Sequence, residues 1–452
     1  MRMTICLTIA ISFVATSQAG RAADWPQWLG PNRDSVWREN GIVTELPDQL
    51  PIQWRVPVKL GYAGPAVAAG RVYVCDYDRT EGEINNVPDG RDQLEGRERV
   101  LCFHARTGTQ IWEHAYDCTY KISYASGPRC TPVVDGERVY TLGAEGDLYC
   151  LRADNGTVLW KKNFLQDYGV ATPHWGHSAH PLVDEKHIYC IVGGAGSVAV
   201  AFDKMTGVEV WRALTAKEAG YCPPTLIEHL GVRQLIIWHP ESINGLNPTN
   251  GELLWSVPLA PNYQMSVTAP RQLDHTLFAS GIGDVGALLD LDKLNRVIGS
   301  GDTDGSMAVI WSGKAKRAVY CCNSTPYLEK GMIYGCDCKS GALIGARLAD
   351  GERQWETFQP TTGQRRAAHG TAFLIKHADR FFLFGEQGDL ILARLTEDGY
   401  QELGRSHLLE PTNESFGRPV VWSHPAFAER CIFARNDKEL ICASLAEDRS
   451  DP

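Results

Sequence analysis

The chain is expected to fold as an all-β, eight-bladed β-propeller of four-stranded antiparallel blades, and three observations predict it. A four-strand unit recurs through residues 52–446, most copies close on a tryptophan, and the two chain ends carry complementary fragments of one further copy. A period of about 44 to 58 residues with four strands per unit is the signature of a propeller.

The clearest copy is SGPRCTPVVDGERVYTLGAEGDLYCLRADNGTVLW, from Ser126 to Trp160. Its apolar runs TPVV, RVYTL, DLYCL and VLW are separated by Asp135-Gly136, Glu145-Gly146 and Asn155-Gly156. Such pairs supply the φ > 0 positions of tight hairpin turns. Taken in order, the first copy runs from Tyr62 to Trp112, with an insertion over Arg79 to Glu98. The next three copies end at Trp160, Trp211 and Trp255. The fifth is irregular after Asp292 and recovers at MAVIW, ending at Trp311; the sixth ends at Trp355, and the seventh has Leu403 in the tryptophan position. The last copy, SHPAFAERCIFARNDKELICASL, has three strands only. Its missing closing strand is the orphan Ile52-Gln53-Trp54-Arg55-Val56 at the other end, so the eighth blade is stitched from both termini and leaves no open sheet edge.

The Gly-x-x-x-Trp ending of Gly108–Trp112, Gly156–Trp160, Gly207–Trp211, Gly251–Trp255 and Gly351–Trp355 resembles the PQQ-like β-propeller repeat. So do the preceding strands LYCLRADNG and VAFDKMTG. That repeat occurs in quinoprotein alcohol dehydrogenases and in BamB-like outer-membrane assembly lipoproteins. The opening WPQWLGPNRDSV is similar to that of secreted planctomycete-type members. The resemblance spans nearly all of residues 24–445 and implies the fold; activity has to be argued from the site, because the family holds enzymes and non-enzymes.

Met1-Arg2, the apolar run Ile5 to Ala15 and the small residues Ser17, Ala19, Ala22 and Ala23 read as a secretory signal peptide over 1–23. The division that follows is an N-terminal extension 24–51, a propeller 52–446 and a tail 447–452. A periplasmic or secreted location and no integral membrane segment are expected, the run being too short to span a bilayer. Of 14 cysteines, Cys6 lies inside that run and not after a lipobox. Seven of the other thirteen recur at equivalent places, Cys102, Cys150 and Cys442 in third strands and Cys75, Cys190, Cys336 and Cys431 in second strands, where a thiol serves as a small hydrophobe. Removing residues 1–23 leaves 42 basic against 54 acidic residues. That balance disfavours nucleic acid and anionic membranes as partners.

Propeller topology puts the 2–3 turns and the links between blades on one face, and this face carries the long segments 79–98, 113–125, 161–177, 256–265, 312–323, 356–368 and 404–421. Trp175, His177, Trp238, His239, Glu241, Arg365, Arg366, His369, Arg418, Trp422, His424 and Arg435 collect there. Rings and donors around a funnel suit a small polar or sugar-like ligand, or an envelope protein. The opposite face, with its short turns, is expected to be bare.

His174-x-x-His177-x-x-His180 has metal-like spacing, but strand alternation would send residues 177 and 180 apart, so no metal site is assigned. Asp302-x-Asp304-Gly305 is read as a solvated turn, since it lacks the later ligands of a calcium loop. Cys321-Cys322 lies on the funnel side. In quinoprotein alcohol dehydrogenases an adjacent-cysteine disulfide packs against the quinone, so the resemblance implies a vicinal disulfide here; two unbonded thiols facing opposite ways is the other reading. No G-x-S-x-G, Walker loop or H-E-x-x-H is present, and no catalytic residue is assigned. The expectation is a monomeric, non-catalytic binding or scaffolding module without a cofactor. The alternatives are a PQQ- and calcium-dependent alcohol or sugar dehydrogenase and a BamB-like assembly factor.

Overall fold

The computed structural model describes residues 23–447. The segment bearing the expected signal peptide and most of the expected tail lie outside the described residues. Eight blades of four antiparallel strands follow one another around a ring. The eighth is built as expected: Ile52–Pro57 pairs with Glu439–Ser444, and Trp54 faces Cys442 across that ladder. Inner strands such as Ala66–Ala68 and Ala426–Ala428 are wholly buried. Outer strands bury little beyond their tryptophan, as in Val158–Asn163.

The Gly-x-x-x-Trp spacing has a packing cause. Each outer strand pairs with a register shift at the closing position, as at Ile52/Trp54 and Val158/Trp160. A bulge of this kind re-aims a side chain, here turning the indole off the alternating pattern toward the next blade. There it lies against the glycine of the following repeat: Trp54 on Gly108, Trp112 on Gly156, Trp160 on Gly207 and Trp211 on Gly251. The indole N–H donates to a carbonyl of the same turn, Trp54 to Ala105, Trp112 to Ala153, Trp160 to Lys204 and Trp211 to Pro248, at 2.8–3.1 Å. Trp255 departs from the series and donates to Gln234 Oε1 in its own blade. The reason is the irregularity after Asp292, which is a helix, Leu291–Ser300, standing where the turn glycine would be. Asp290 caps it by accepting from Lys293 N–H, and Gly301 ends it at φ 76°.

Two expectations are corrected. The insertion 79–98 is largely not loop, because Arg71–Glu81 and Asp92–His104 continue as strands beyond the blade and recruit Tyr120–Ile122 as a further strand. Apolar Tyr77, Leu94 and Tyr120 alternate inward along them and are fully buried. Nor is the short-turn face bare. Residues 24–37 enter there and fill the central channel. Trp25 bridges Val67 in the first blade, Val134 N–H of the second donates to Pro26 O, and Trp37 N–H donates to Lys376 O of the seventh. Arg33 donates to the carbonyls of Pro181 and His180 in the third blade, while Arg271 of the fifth donates back to the carbonyls of Arg33 and Asp34. Burial lowers the Arg33 guanidinium to a pKa of about 10.

Candidate functional site

On the link face the ring opens into a cavity of about 490 Å³ whose floor is Trp28 of the channel-filling segment. The Trp28 indole stacks on His180 at 4.7 Å and donates its N–H to His424 Nε2 at 3.2 Å. The walls have a simple origin in the repeat. In seven blades the residue four positions before the innermost strand lines the cavity: Tyr62, Arg129, Ser178, Tyr221, Val267, Asn323 and Trp422. The seventh blade contributes His369, one place later. Each link thus turns inward just before its blade begins.

The surface so made is aromatic and largely apolar, with Trp28, Tyr62, Tyr124, Trp175, Tyr221 and Trp422 facing the void. Trp175 meets Tyr221 edge-on at 5.6 Å, and Tyr124 lies 6.2 Å from Trp422. Polar groups are few. The Arg129 guanidinium lies 5.2 Å from the Tyr62 ring centroid, held by the carbonyls of Ser123 and Tyr124. Asp89 is the carboxylate of the lining among the described residues. The Tyr62 hydroxyl, Ser324 Oγ and both His180 nitrogens have no hydrogen-bond partner in the protein. Buried polar atoms are rarely left so. Desolvation holds His180 well below the usual imidazole pKa and His424 down to about 3, so both are neutral at pH 7.

Of the residues expected at the site, Trp175, His369, Trp422, His424 and Cys322 line the cavity. The others do not. His177 is buried against Phe164 behind the wall. Trp238 is fully buried and donates to Leu259 O, because strand alternation turns it between blades. His239 is buried beside Ser242, and exposed Glu241 accepts from Lys217 N–H. Arg365 and Arg366 extend into solvent from their link. Arg418 is committed to a buried ion pair with Glu386 at 2.8 Å, and Glu386 also accepts from Trp422 Nε1, so this pair positions the Trp422 wall. Arg435 is fully buried and binds the carbonyls of Cys75, Lys59 and Asn436, fastening the eighth blade to the first.

Of the two readings of Cys321-Cys322, the structure has the unbonded pair facing opposite ways and not the vicinal disulfide that the resemblance implies. All thirteen cysteines among the described residues are free. Cys321 Sγ packs toward Gly335 of the neighbouring strand, while Cys322 faces the cavity with Cys338 and Ile282. His174, His177 and His180 diverge: His174 Nε2 contacts Pro88 O, His177 faces Phe164 and His180 faces Trp28. Asp304 caps Ser306 N–H in an exposed turn. A different cluster does converge. Cys322, Cys338 and His369 place their donor atoms within 4.8 Å of one another, with Cys338 Sγ 3.6 Å from both nitrogens of His369. The hydrogen bond between Cys322 and Cys338, with His369 beside it, favours ionisation of Cys338 and raises the thiol of Cys322. Sequence reasoning passed over Cys338, Trp28, Tyr62, Tyr124 and Tyr221; the recurring position before each inner strand was the available signal for Tyr62 and Tyr221.

Comparison with known proteins agrees with this architecture. The BamB from Moraxella catarrhalis superposes with a TM-score of 0.52 at 14% identity, over 87% of this chain and 97% of that one. The quinohemoprotein alcohol dehydrogenase from Comamonas testosteroni gives 0.60 at 13% identity, over 96% and 82%. These likenesses show the fold. The outer membrane protein assembly factor BamB of Kangiella koreensis is 30% identical over 116 residues, which span 25% of this chain and about a quarter, 26%, of that protein. The family model described as outer membrane protein assembly factor BamB matches residues 96–298 and 241–451, and the chain therefore belongs to this family of PQQ-like β-propellers.

Proposed function

We propose that the protein is a non-catalytic binding module that takes a short saccharide or similar ring-shaped polar ligand into its link-face funnel. The observation that carries this reading is the aromatic cavity of about 490 Å³, closed below by Trp28, with Asp89, Arg129 and Asn323 as polar groups among its aromatic walls. Flat indole and phenol faces stack on the C–H faces of sugar rings, and isolated donors and acceptors fix orientation. The volume lies in the range of small-ligand sites. Export by an N-terminal signal peptide and a monomeric state belong to the same proposal. Among the described residues no helix is long and apolar enough to cross a membrane.

The alternative of a PQQ- and calcium-dependent dehydrogenase finds little support in the lining. Calcium takes about 6–8 oxygen ligands, several of them carboxylates. The lining offers Asp89, and Arg129 alone among guanidinium groups to meet a polyanionic quinone. The residues do not fit that group, and no step is derived through it.

The test is intrinsic tryptophan fluorescence of the purified protein titrated with a panel of mono- to trisaccharides, with Trp175→Ala and Trp422→Ala as controls. Saturable quenching lost in both variants supports the reading. Absence of any response, or retention of envelope proteins on an immobilised sample through surfaces that these variants leave intact, overturns it in favour of an assembly role.

A further inference from the structure

The Cys322, Cys338 and His369 side chains come from three separate stretches of chain, and backbone hydrogen bonds lock those stretches together. Cys338 N–H donates to Tyr320 O, His369 N–H donates to Cys338 O, and Asn323 Nδ2 donates to His369 O. His369 itself sits at φ 60°, an unfavourable conformation for a residue with a side chain, and its ring lies flat on Phe416 at 4.6 Å. The placement of these donors is thus fixed by the fold and not by flexible reach.

We propose that Cys322, Cys338 and His369 form a binding site for a thiophilic metal ion, with zinc(II) as the representative cation, whose fourth coordination position opens into the funnel. Two sulfurs and one imidazole nitrogen are soft to borderline donors, the set chosen by Zn²⁺ or Cu⁺ and avoided by Ca²⁺ and Mg²⁺. The spacing fits as well. Zn–S and Zn–N bonds of about 2.3 and 2.0–2.1 Å at a tetrahedral angle place sulfur and nitrogen about 3.6 Å apart. Cys338 Sγ stands 3.6 Å from both nitrogens of His369, so one nitrogen is already at this separation and a turn of the imidazole about its Cβ–Cγ bond aims its lone pair at the ion. Two thiolates would neutralise the divalent charge in a pocket where Cys322 and Cys338 are both buried. Three protein ligands plus an open position is the arrangement of sites that admit an exogenous ligand. Cys322 and His369 border the cavity, so the vacant position faces it. The site stands on its own donors and does not depend on the saccharide reading.

The experiment uses the full chain, reduced and handled without oxygen, titrated with Zn²⁺ and with Co²⁺ as a spectroscopic substitute. Stoichiometric binding and a thiolate-to-cobalt charge-transfer band with tetrahedral d–d bands are expected. Cys338→Ser and His369→Ala should each weaken binding by roughly 100-fold or more, whereas Cys431→Ser, far from the cluster, should not. Should these variants fail to fold, alkylation of the native chain with and without Zn²⁺, mapped by mass spectrometry, gives the answer. Protection of Cys322 and Cys338 together supports the site. No stoichiometric binding, protection of other thiols only, or a Cys322–Cys338 disulfide that resists reduction in the folded chain overturns it.

Discussion

Trp28 Nε1–H donates to His424 Nε2 across the centre of the ring, joining the channel-filling segment to the link that opens the eighth blade. The same indole is 4% exposed and stacks on His180 of the third blade. One side chain therefore ties the third and eighth blades together at the funnel floor.

Trp28→Ala should open that floor. Truncating a buried tryptophan costs about 3–5 kcal/mol. Chemical denaturation should register this loss. Saccharide-dependent quenching, carried by Trp175 and Trp422, should fall in parallel. Unchanged stability would mean that the segment does not stopper the channel in solution.

Gly156 and Gly136 both have positive φ, at 73° and 59°, but only Gly156 receives an indole. A Cβ there would stand 2.6 Å from Trp112, while none of the neighbouring atoms comes within 4 Å at Gly136. Gly136→Ala should cost about 1–2 kcal/mol from backbone conformation alone. Gly156→Ala adds the clash and should cost several kcal/mol more. Comparing their unfolding midpoints checks the indole-on-glycine account of the repeat.

Glu386 and Arg418 form a buried pair that also anchors Trp422. Removing one partner leaves the other charge uncompensated, so Glu386→Ala should destabilise by about 3–5 kcal/mol. The double variant Glu386→Leu with Arg418→Met should recover much of that stability. It should not recover ligand quenching, because Trp422 has lost its acceptor. Urea titrations and fluorescence titrations of both variants separate the two effects.

His177 is 3% exposed, and burial lowers its pKa from 6.5 to about 4. The unfolded chain then binds the extra proton between about pH 6.5 and 4 while the folded chain does not, so stability falls as pH falls through that window. The loss from His177 reaches about 3 kcal/mol at pH 4. Burial of His424 acts in the same direction. Asp437 acts oppositely: burial raises it from 3.8 to about 6, so its folded form holds a proton that the unfolded chain has released between those values. His177→Leu should flatten the acid limb of the stability profile measured by denaturant unfolding from pH 7 to 4. An unchanged slope would show that His177 is hydrated in the folded chain.

The ring was legible because its causes are local or repeated. Glycine pairs set the hairpins, and a bulge with an indole set most of the blade junctions. The orphan strand around Trp54 could belong only to the three-stranded copy at the far end. The funnel was half legible. Topology chose the face that carries the cavity, yet Trp238 and Arg435 lie between blades, since a one-residue change in strand phase decides whether a side chain faces the void or a neighbour. Trp28 could not be placed, because its partners His180 and His424 are distant in sequence and its own segment has no periodic pattern. Cys338 was hidden for the same reason: its proximity to Cys322 and His369 comes from backbone hydrogen bonds between three separate stretches, not from spacing along the chain.

Residues 24–57 supply both the stopper of the channel and the strand that completes the last blade. The strand Ile52–Pro57 is synthesised long before its partner Glu439–Ser444. A polypeptide halted before that partner emerges is a horseshoe with raw strands at both tips and a drain through its middle. Closure of the ring is therefore tied to the emergence of Glu439–Ser444, and products truncated before that strand should be cleared by proteases rather than persist.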